Sequence, residues 1–481
     1  MKDRKIIIAL SSLSVYELNS FSKFIHSPYF NSNENIIHFY NYIEKFVKNN
    51  TLDSLNTEMI WSSVFPDTPF NNQKLLKLNS DLTYLLELFI TQKEFEKSES
   101  FKANLKLEGV RKRNITKLYK GIIADIERIN KLENDQSIEF YLNKYLIEKN
   151  LFRLKTESEK KNEKVEISSE LNLKNISDNL DYFYIAEKLR QYCTLLGWQK
   201  MYKLDIELSN IEFIIELAQK EQYSNIPAIN MYYNMYLTYN DSNNPLHYDN
   251  LKNQIKNSIH LFPEHEQWEI YVTALSYCIN RVNKGDINFQ QETFELYKQV
   301  IDNNLILHEG SLSATTFRNI VQIATRVDQS AWAENFIYEY SKHVDRKHRD
   351  NAVEFSLARL EFYRKNYGKV LEHLYRVTYE DVWYNINAKT LQIACYYELD
   401  EYDALESLLQ AFKMYIRRER SLTPDRKIHY LNLIKFTNTL IKIQPKDKKR
   451  LENLYTDIKN TKGVVSKPWL EEKITFLLNK K

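Results

Sequence analysis

The chain has 481 residues, of which 43% are hydrophobic and 27% charged, so it carries enough apolar material for a sizeable core. Only 7 residues are glycine, whereas average usage would give roughly 34. This scarcity excludes hairpin-rich sheets and folds that need a glycine-rich phosphate loop, and it predicts an all-α chain in which Asn and Asp occupy the tight turns. The net charge of +3 gives no global electrostatic reason to expect nucleic acid or an anionic membrane as the partner.

The N-terminus and the cysteines bear on the cellular compartment. The segment MKDRKIIIALSSLSV has basic residues and a short apolar run, but serines interrupt the run and no small-residue cleavage site follows. No apolar stretch reaches the roughly 18 residues of a membrane span. Cys193, Cys278 and Cys395 are scattered among apolar residues, which fits buried thiols better than disulfides or a metal site. We therefore expect a cytoplasmic protein with no membrane partner.

The first distinctive motif is SPYFN, residues 27–31, which lies between two stretches with helical spacing. Pro28 has no N–H and disfavours the α conformation at Ser27, so the first of these helices is predicted to end there. An N-cap for the next helix is available within residues 31–33 (NSN), and Tyr29 and Phe30 can fill the apolar gap between the helices. We interpret SPYFN as a packed corner, with a partner-binding loop as the alternative.

The segment FPDTPFNNQKLLKL, which starts at Phe65, repeats the order Thr-Pro-aromatic-Asn before a helix, as expected of a second corner. Isoleucine and leucine at helical spacing then predict a further helix from Ile115 to Ile129. The charged segment from Thr156 to Asn175 has weak periodicity and is either a solvated helix or a linker. The predicted organisation is a helical N-terminal domain at 1–134, this helix or linker at 135–179, and a repeat domain at 180–481.

From about residue 180 onward the apolar pattern predicts helices in pairs. Trp332, Tyr367 and Tyr402 are 35 residues apart, and each is predicted to open the second helix of a pair. The tetratricopeptide period is 34 residues, with an aromatic residue at the turn. Such pairs bury their apolar faces by stacking into a curved α-α superhelix with a concave surface. Near the end of the chain, KPWLEEK predicts a capping helix with Pro468 in its first turn.

Several segments carry a resemblance that covers nearly the whole chain: SPYFN, YCINRVNKGD, LSATTFRNIV, WAENFI, YYELDEYDALESLLQAFKMYIRR and KPWLEEK. With these segments the chain resembles a family of uncharacterised bacterial proteins of about this length, with tetratricopeptide-like helices and an N-terminal SPYFN motif. The resemblance implies a tetratricopeptide-like solenoid. It implies no activity and no catalytic residues.

No sequence motif predicts catalysis, a metal or a cofactor. The near-pairs of histidine lack the spacing of a zincin helix, and neither a nucleophile elbow nor a phosphate-binding loop is present in the sequence. We therefore expect a non-enzymatic protein with no catalytic residue, no metal ligand and no cofactor.

The positive prediction is a partner-binding groove lined by the first helix of each pair. Its candidate residues are polar: Asn280, Arg281, Arg318, Asn319, Arg359, Asn387 and Lys389. Asn and Arg side chains can bind the backbone and the carboxylates of an extended peptide. The predicted function is a non-catalytic scaffold or adaptor for a protein or peptide, and the alternative is an RNA-binding or regulatory helical-repeat protein. An enzyme with an unrecognised site is the third possibility.

Overall fold

The computed structural model describes residues 4–132, 135–159, 172–202, 204–307, 310–378 and 382–480. Across these ranges the fold is all-α, with 24 α-helices and no β-strand, which confirms the predicted class. The one isolated bridge found there is parallel and joins Leu312 to Val344. The chain divides into two compact units, residues 1–187 and 188–481, and α9 spans the division.

Unit 1 contains the first eight helices and the first part of the ninth. These are α1 (Lys5–Ser11), α2 (Val15–Ile25), α3 (Glu34–Lys48), α4 (Thr57–Val64), α5 (Asn72–Lys97), α6 (Glu99–Lys112), α7 (Tyr119–Leu132), α8 (Ile138–Glu159) and α9 (Leu173–Tyr202). One apolar core is shared by α1–α5, and a smaller one lies between α6, α7 and α8.

The SPYFN segment forms the predicted corner between α2 and α3, with one exception. Phe30 stacks on Phe24 with 4.0 Å between the ring centroids, and the buried Asn31 donates through Nδ2 to the Ile25 carbonyl at 3.1 Å. Asn33 caps α3 by accepting from the Asn35 N–H. Tyr29 is 89% exposed, so the expectation that it fills the gap between the helices is wrong, because Phe30 already covers Phe24.

Two predictions for the rest of unit 1 fare differently. The second corner is confirmed, because Asn71 caps α5 and the Trp61 indole N–H donates to the Thr68 carbonyl at 2.8 Å.

The predicted helix from Ile115 begins too early. Asn114 has a φ of 55°, which ends α6, so α7 starts only at Tyr119 and Ile115 is left exposed. Within the predicted linker, residues 160–171 lie outside the described residues, and the domain boundaries themselves stay predictions.

Unit 2 begins within α9 and continues with short and medium helices. These are α10 (Ile211–Ala218), α11 (Glu221–Ser224), α12 (Pro227–Asn240), α13 (Pro245–Ser258), α14 (Glu264–Asn283), α15 (Asn288–Asp302), α16 (Ala314–Arg326), α17 (Ser330–Tyr340), α18 (Arg346–Tyr363), α19 (Tyr367–Arg376), α20 (Val382–Glu398), α21 (Tyr402–Arg418), α22 (Pro424–Leu440), α23 (Lys448–Asn460) and α24 (Lys467–Asn479). Proline stands in the first turn of α24, as predicted.

The same turn joins the helices of three successive pairs, α16/α17, α18/α19 and α20/α21. Asp328, Lys365 and Asp400 have φ values of 57°, 61° and 56°, and in each turn the next residue donates its N–H to the carbonyl five residues earlier at 2.9 Å. This is the hydrogen bond of a left-handed helix C-cap. Tyr367 and Tyr402 open α19 and α21 as predicted, and Trp332 lies two residues inside α17. The sequence repeat therefore has a local structural counterpart.

The glycine and cysteine predictions hold for the described part of the chain. Nine residues other than glycine have positive φ there, and seven of the nine are Asn or Asp. All three cysteines are buried free thiols, and burial raises the pKa of each thiol. In the described ranges, no helix combines the length and the apolar character that crossing a membrane requires.

Candidate functional site

The candidate site lies in unit 2, on the first helices of consecutive pairs. The apolar stripe of α16 contains Phe317, Ile320 and Val321, so Arg318 and Arg326 fall on the neighbouring stripe at a spacing of eight residues. Helix α18 packs against both α16 and α20. This packing brings polar side chains of three helices into one region.

Arg318 and Arg359, two of the predicted residues, lie in this region. The Arg318 guanidinium lies 4.2 Å from the centroid of the buried Tyr384 ring on α20, and its Nε donates to the Ala314 carbonyl at 3.2 Å. The Arg359 guanidinium lies 5.2 Å from the centroid of the buried Phe355 ring. The Phe355 and Tyr384 rings meet edge to face at 5.5 Å, so the two arginines are linked through one aromatic pair.

Burial lowers the pKa of Arg359 to about 10, and the positive charges of Arg326 and Arg318 lower it further. The buried Nε of Arg359 is an orphaned donor, and no carboxylate or hydrogen-bond acceptor is paired with this guanidinium within the described residues. Arg359 is half-buried as a residue, with its Nε enclosed, and a charge removed from water is ordinarily paired because the removal is costly. Arg359 still carries its proton at neutral pH and therefore remains a cation.

A cavity of about 180 Å³ lies between α14, α15 and α16, beside Arg326. Its polar lining includes Asn283, Gln322 and the predicted residue Asn319. Asn319 is also hydrogen-bonded to the hydroxyl of Tyr297, whose pKa burial raises to about 12. The cavity thus offers amide and guanidinium groups around an apolar base.

The remaining predicted residues have other roles or positions. Arg281 forms an ion pair with Asp286 at 2.8 Å in the turn after α14, next to the half-buried Asn280. Asn387 donates to the Trp383 carbonyl of its own helix at 2.7 Å. Burial lowers the pKa of the Lys389 amine. Asn387 and Lys389 are two residues apart and therefore face different directions on α20.

Two arginines that the sequence analysis did not select belong to the same region. Arg326 repeats the stripe position of Arg318 and borders the cavity. Arg426 on α22 lies 5.0 Å from the centroid of the Trp383 ring. The spacing of four between Arg318, Gln322 and Arg326 was a usable sequence signal for Arg326. No comparable local signal marks Arg426.

Comparisons with protein-family models, with curated proteins and with solved structures gave no match to this chain.

Proposed function

We propose that the protein is a non-catalytic scaffold or adaptor that binds a protein or peptide on the face formed by α16, α18 and α20. The observation that carries the proposal is that Arg318, Arg326 and Arg359 converge there without an acidic partner among the described residues. Guanidinium groups with free donors suit the carboxylates and backbone carbonyls of an extended chain.

The proposal includes a tetratricopeptide-like solenoid, as the resemblance implies. The repeated turns at Asp328, Lys365 and Asp400 support it, since equal turns place successive helix pairs in similar geometry. The contacts of α18 with both α16 and α20 support it as well, because first helices lie beside first helices in such an array. In this arrangement the arginines line the concave side.

The non-catalytic role rests on the chemistry of these side chains. An arginine with a pKa of about 10 keeps its proton at neutral pH, so it binds anions and is unsuited to general base catalysis. The proposed compartment is the cytoplasm, where the three buried thiols would remain reduced.

The test is affinity capture of the tagged protein from its native cell, with and without nuclease, read by mass spectrometry and RNA sequencing. We expect a dominant, nuclease-resistant protein partner. Arg318→Gln combined with Arg359→Gln should remove that partner. The matched control is Arg364→Gln, because Arg364 is ion-paired with Glu334 and Glu361 and lies outside the cluster.

Two results would contradict the proposal. If RNA is captured and protein partners disappear after nuclease treatment, the RNA-binding alternative replaces it. If the double variant is folded and captures the partner as wild type does, then this face is not the docking surface. Arg281 is omitted from the test because Asp286 already neutralises it and a change there would disturb the turn.

A further inference from the structure

Arg318, Arg326 and Arg359, called the arginine cluster below, differ from Arg281 and Arg364 of the same unit. Arg281 is paired with Asp286, and Arg364 with both Glu334 and Glu361. The arginine cluster has no such carboxylate among the residues that the structure describes. The fold therefore places acids beside these two arginines at turns, whereas Arg359 is repelled by Arg318 and Arg326.

Two of the three acids of α18, Glu354 and Glu361, have partners away from the cluster. Glu361 accepts hydrogen bonds from Arg364 and from Asn366 in the turn that follows. Glu354 accepts a hydrogen bond from His373 of α19 at 2.7 Å. Both carboxylates are thus engaged with α19 or with the turn that leads to it. Among the residues that the structure describes, no acid therefore compensates the positive charge near Arg359, although acids are present on its own helix.

The guanidinium groups are also held in place before any ligand binds. Arg318 is fixed by its hydrogen bond to the Ala314 carbonyl and by the Tyr384 ring, and Arg359 is placed over Phe355. Such preorganisation lowers the entropy that binding must overcome. Arg326 completes the cluster at the rim of the cavity.

The chemistry of the cluster selects an oxyanion. Guanidinium groups match carboxylate and phosphoryl oxygens with paired N–H donors. Single-stranded nucleic acid would also need exposed rings on which its bases stack. Phe355 and Tyr384, the rings beneath Arg359 and Arg318, are buried and offer no stacking surface, whereas Trp383 beneath Arg426 is 39% exposed. The two rings on which the cluster packs are therefore closed to stacking, and this favours an acidic peptide over RNA.

We propose that the arginine cluster is an anion-binding site that receives the acidic or phosphorylated side chain of a bound peptide, with the neighbouring cavity accommodating the adjacent residue. This inference rests on the proposed function and specifies the chemical class of the partner. The anion supplies the negative charge that none of the described residues gives Arg359, so the partner binds more tightly than surface charge pairing alone would allow.

The test uses the purified full-length protein and fluorescence anisotropy with short labelled peptides. One peptide is rich in Glu, the second has Gln in place of each Glu, and the third has phosphoserine at the same positions. An oligonucleotide of uridines of similar length is the competitor. We expect the Glu or the phosphoserine peptide to bind and the Gln peptide not to bind. Whichever of the Glu and phosphoserine peptides binds more tightly identifies the source of the oxyanion.

Variants then assign the binding to the cluster. Arg326→Gln and Arg359→Gln should each weaken the acidic peptide about 10-fold or more, as expected for loss of a charge-assisted hydrogen bond. Arg364→Gln should change it less than about 2-fold, because its guanidinium is already occupied by two carboxylates. Without ligand, Arg326→Gln should melt at or above the wild-type temperature, because it removes repulsion and breaks no hydrogen bond or ion pair seen in the described residues.

Three results would overturn the inference. The first is that the acidic and Gln peptides bind equally well or do not bind at all. The second is that the Arg364 and Arg359 variants weaken the acidic peptide equally. The third is that the oligonucleotide displaces the labelled peptide at a far lower concentration than unlabelled acidic peptide does. The first two leave the proposed adaptor role standing if cellular capture still finds a protein partner. Failure of capture itself, by contrast, removes the function on which the inference rests.

Discussion

Gly463→Ala tests whether the packing of the last helices is as tight as the structure shows. Gly463 lies between α23 and α24 with a φ of +72°. A Cβ built there would overlap two atoms of the His429 ring of α22, and the Cε1 atom of that ring would lie only 3.0 Å from it. The surrounding backbone resists a shift. The Asn432 amide donates to the Gly463 carbonyl at 3.0 Å, and the Val465 N–H donates to the His429 carbonyl at 3.3 Å.

The expected cost has two parts. A left-handed backbone costs an alanine about 1 kcal/mol relative to glycine. Displacing the His429 ring adds overpacking strain, which is typically about 1–3 kcal/mol. The sum is about 2–4 kcal/mol. At about 2 °C per kcal/mol for a unit of this size, the melting temperature should fall by about 4–8 °C.

Gly285→Ala is the matched control, because Gly285 has a φ of +94° and an added Cβ meets no atom within 4 Å. It carries the backbone cost alone, so its melting temperature should fall by about 2 °C. Far-UV circular dichroism follows the thermal unfolding of wild type, of the two glycine variants, and of the double variant that combines Gly463→Ala with His429→Ala. The double variant should recover most of the excess loss, because the clash is pairwise. Equal losses for the two glycine variants would refute the reasoning.

Two further predictions concern unit 1. Ser14→Ala removes the capping box with Glu17 and should cost about 1 kcal/mol at neutral pH. The hydrogen bonds from Ser14 lower the pKa of Glu17 from its ordinary value, so their stabilisation is present while Glu17 is ionised and is lost as the pH falls through the lowered pKa. The difference in melting temperature between variant and wild type should therefore narrow in acid, and a constant difference would contradict this. Asn31→Ala should cost about 1–3 kcal/mol in urea unfolding, whereas Tyr29→Ala should cost under about 0.5 kcal/mol. Loss of partner capture by a stable Tyr29→Ala protein would favour the binding-loop interpretation of SPYFN instead.

Local features of the fold were accessible from the sequence because their causes are local. Scarce glycine predicted left-handed Asn and Asp residues, and positions such as Asn114 and Asp328 have that conformation. Pro28 predicted the end of α2. The same local causes limited the prediction, since the apolar pattern around Ile115 did not reveal that Asn114 would turn the chain before the next helix.

The candidate site was predictable only in part, because pairing between distant residues is not encoded in spacing. Arg281 and Asp286 are five residues apart, and their ion pair could have been anticipated. Arg318 and Tyr384 are far apart in sequence, and only the fold shows that they stack. That no acid in the described part of the chain pairs with Arg359 is still harder to infer, because it depends on every helix packed around it.

Whether an arginine has an acidic partner also distinguishes a structural role from a binding role. A cation that serves stability should have a carboxylate or carbonyl partner, as Arg364 does. Arg359 has a buried Nε donor without a partner in the described residues and is repelled by Arg326 and Arg318, so the ligand-free protein is less stable for having it. Residues that bind a partner commonly carry such a cost. If ligand-free protein is stabilised and peptide binding weakened by the same arginine substitution, then the cluster is a binding site, because a structural arginine would lose stability in that experiment.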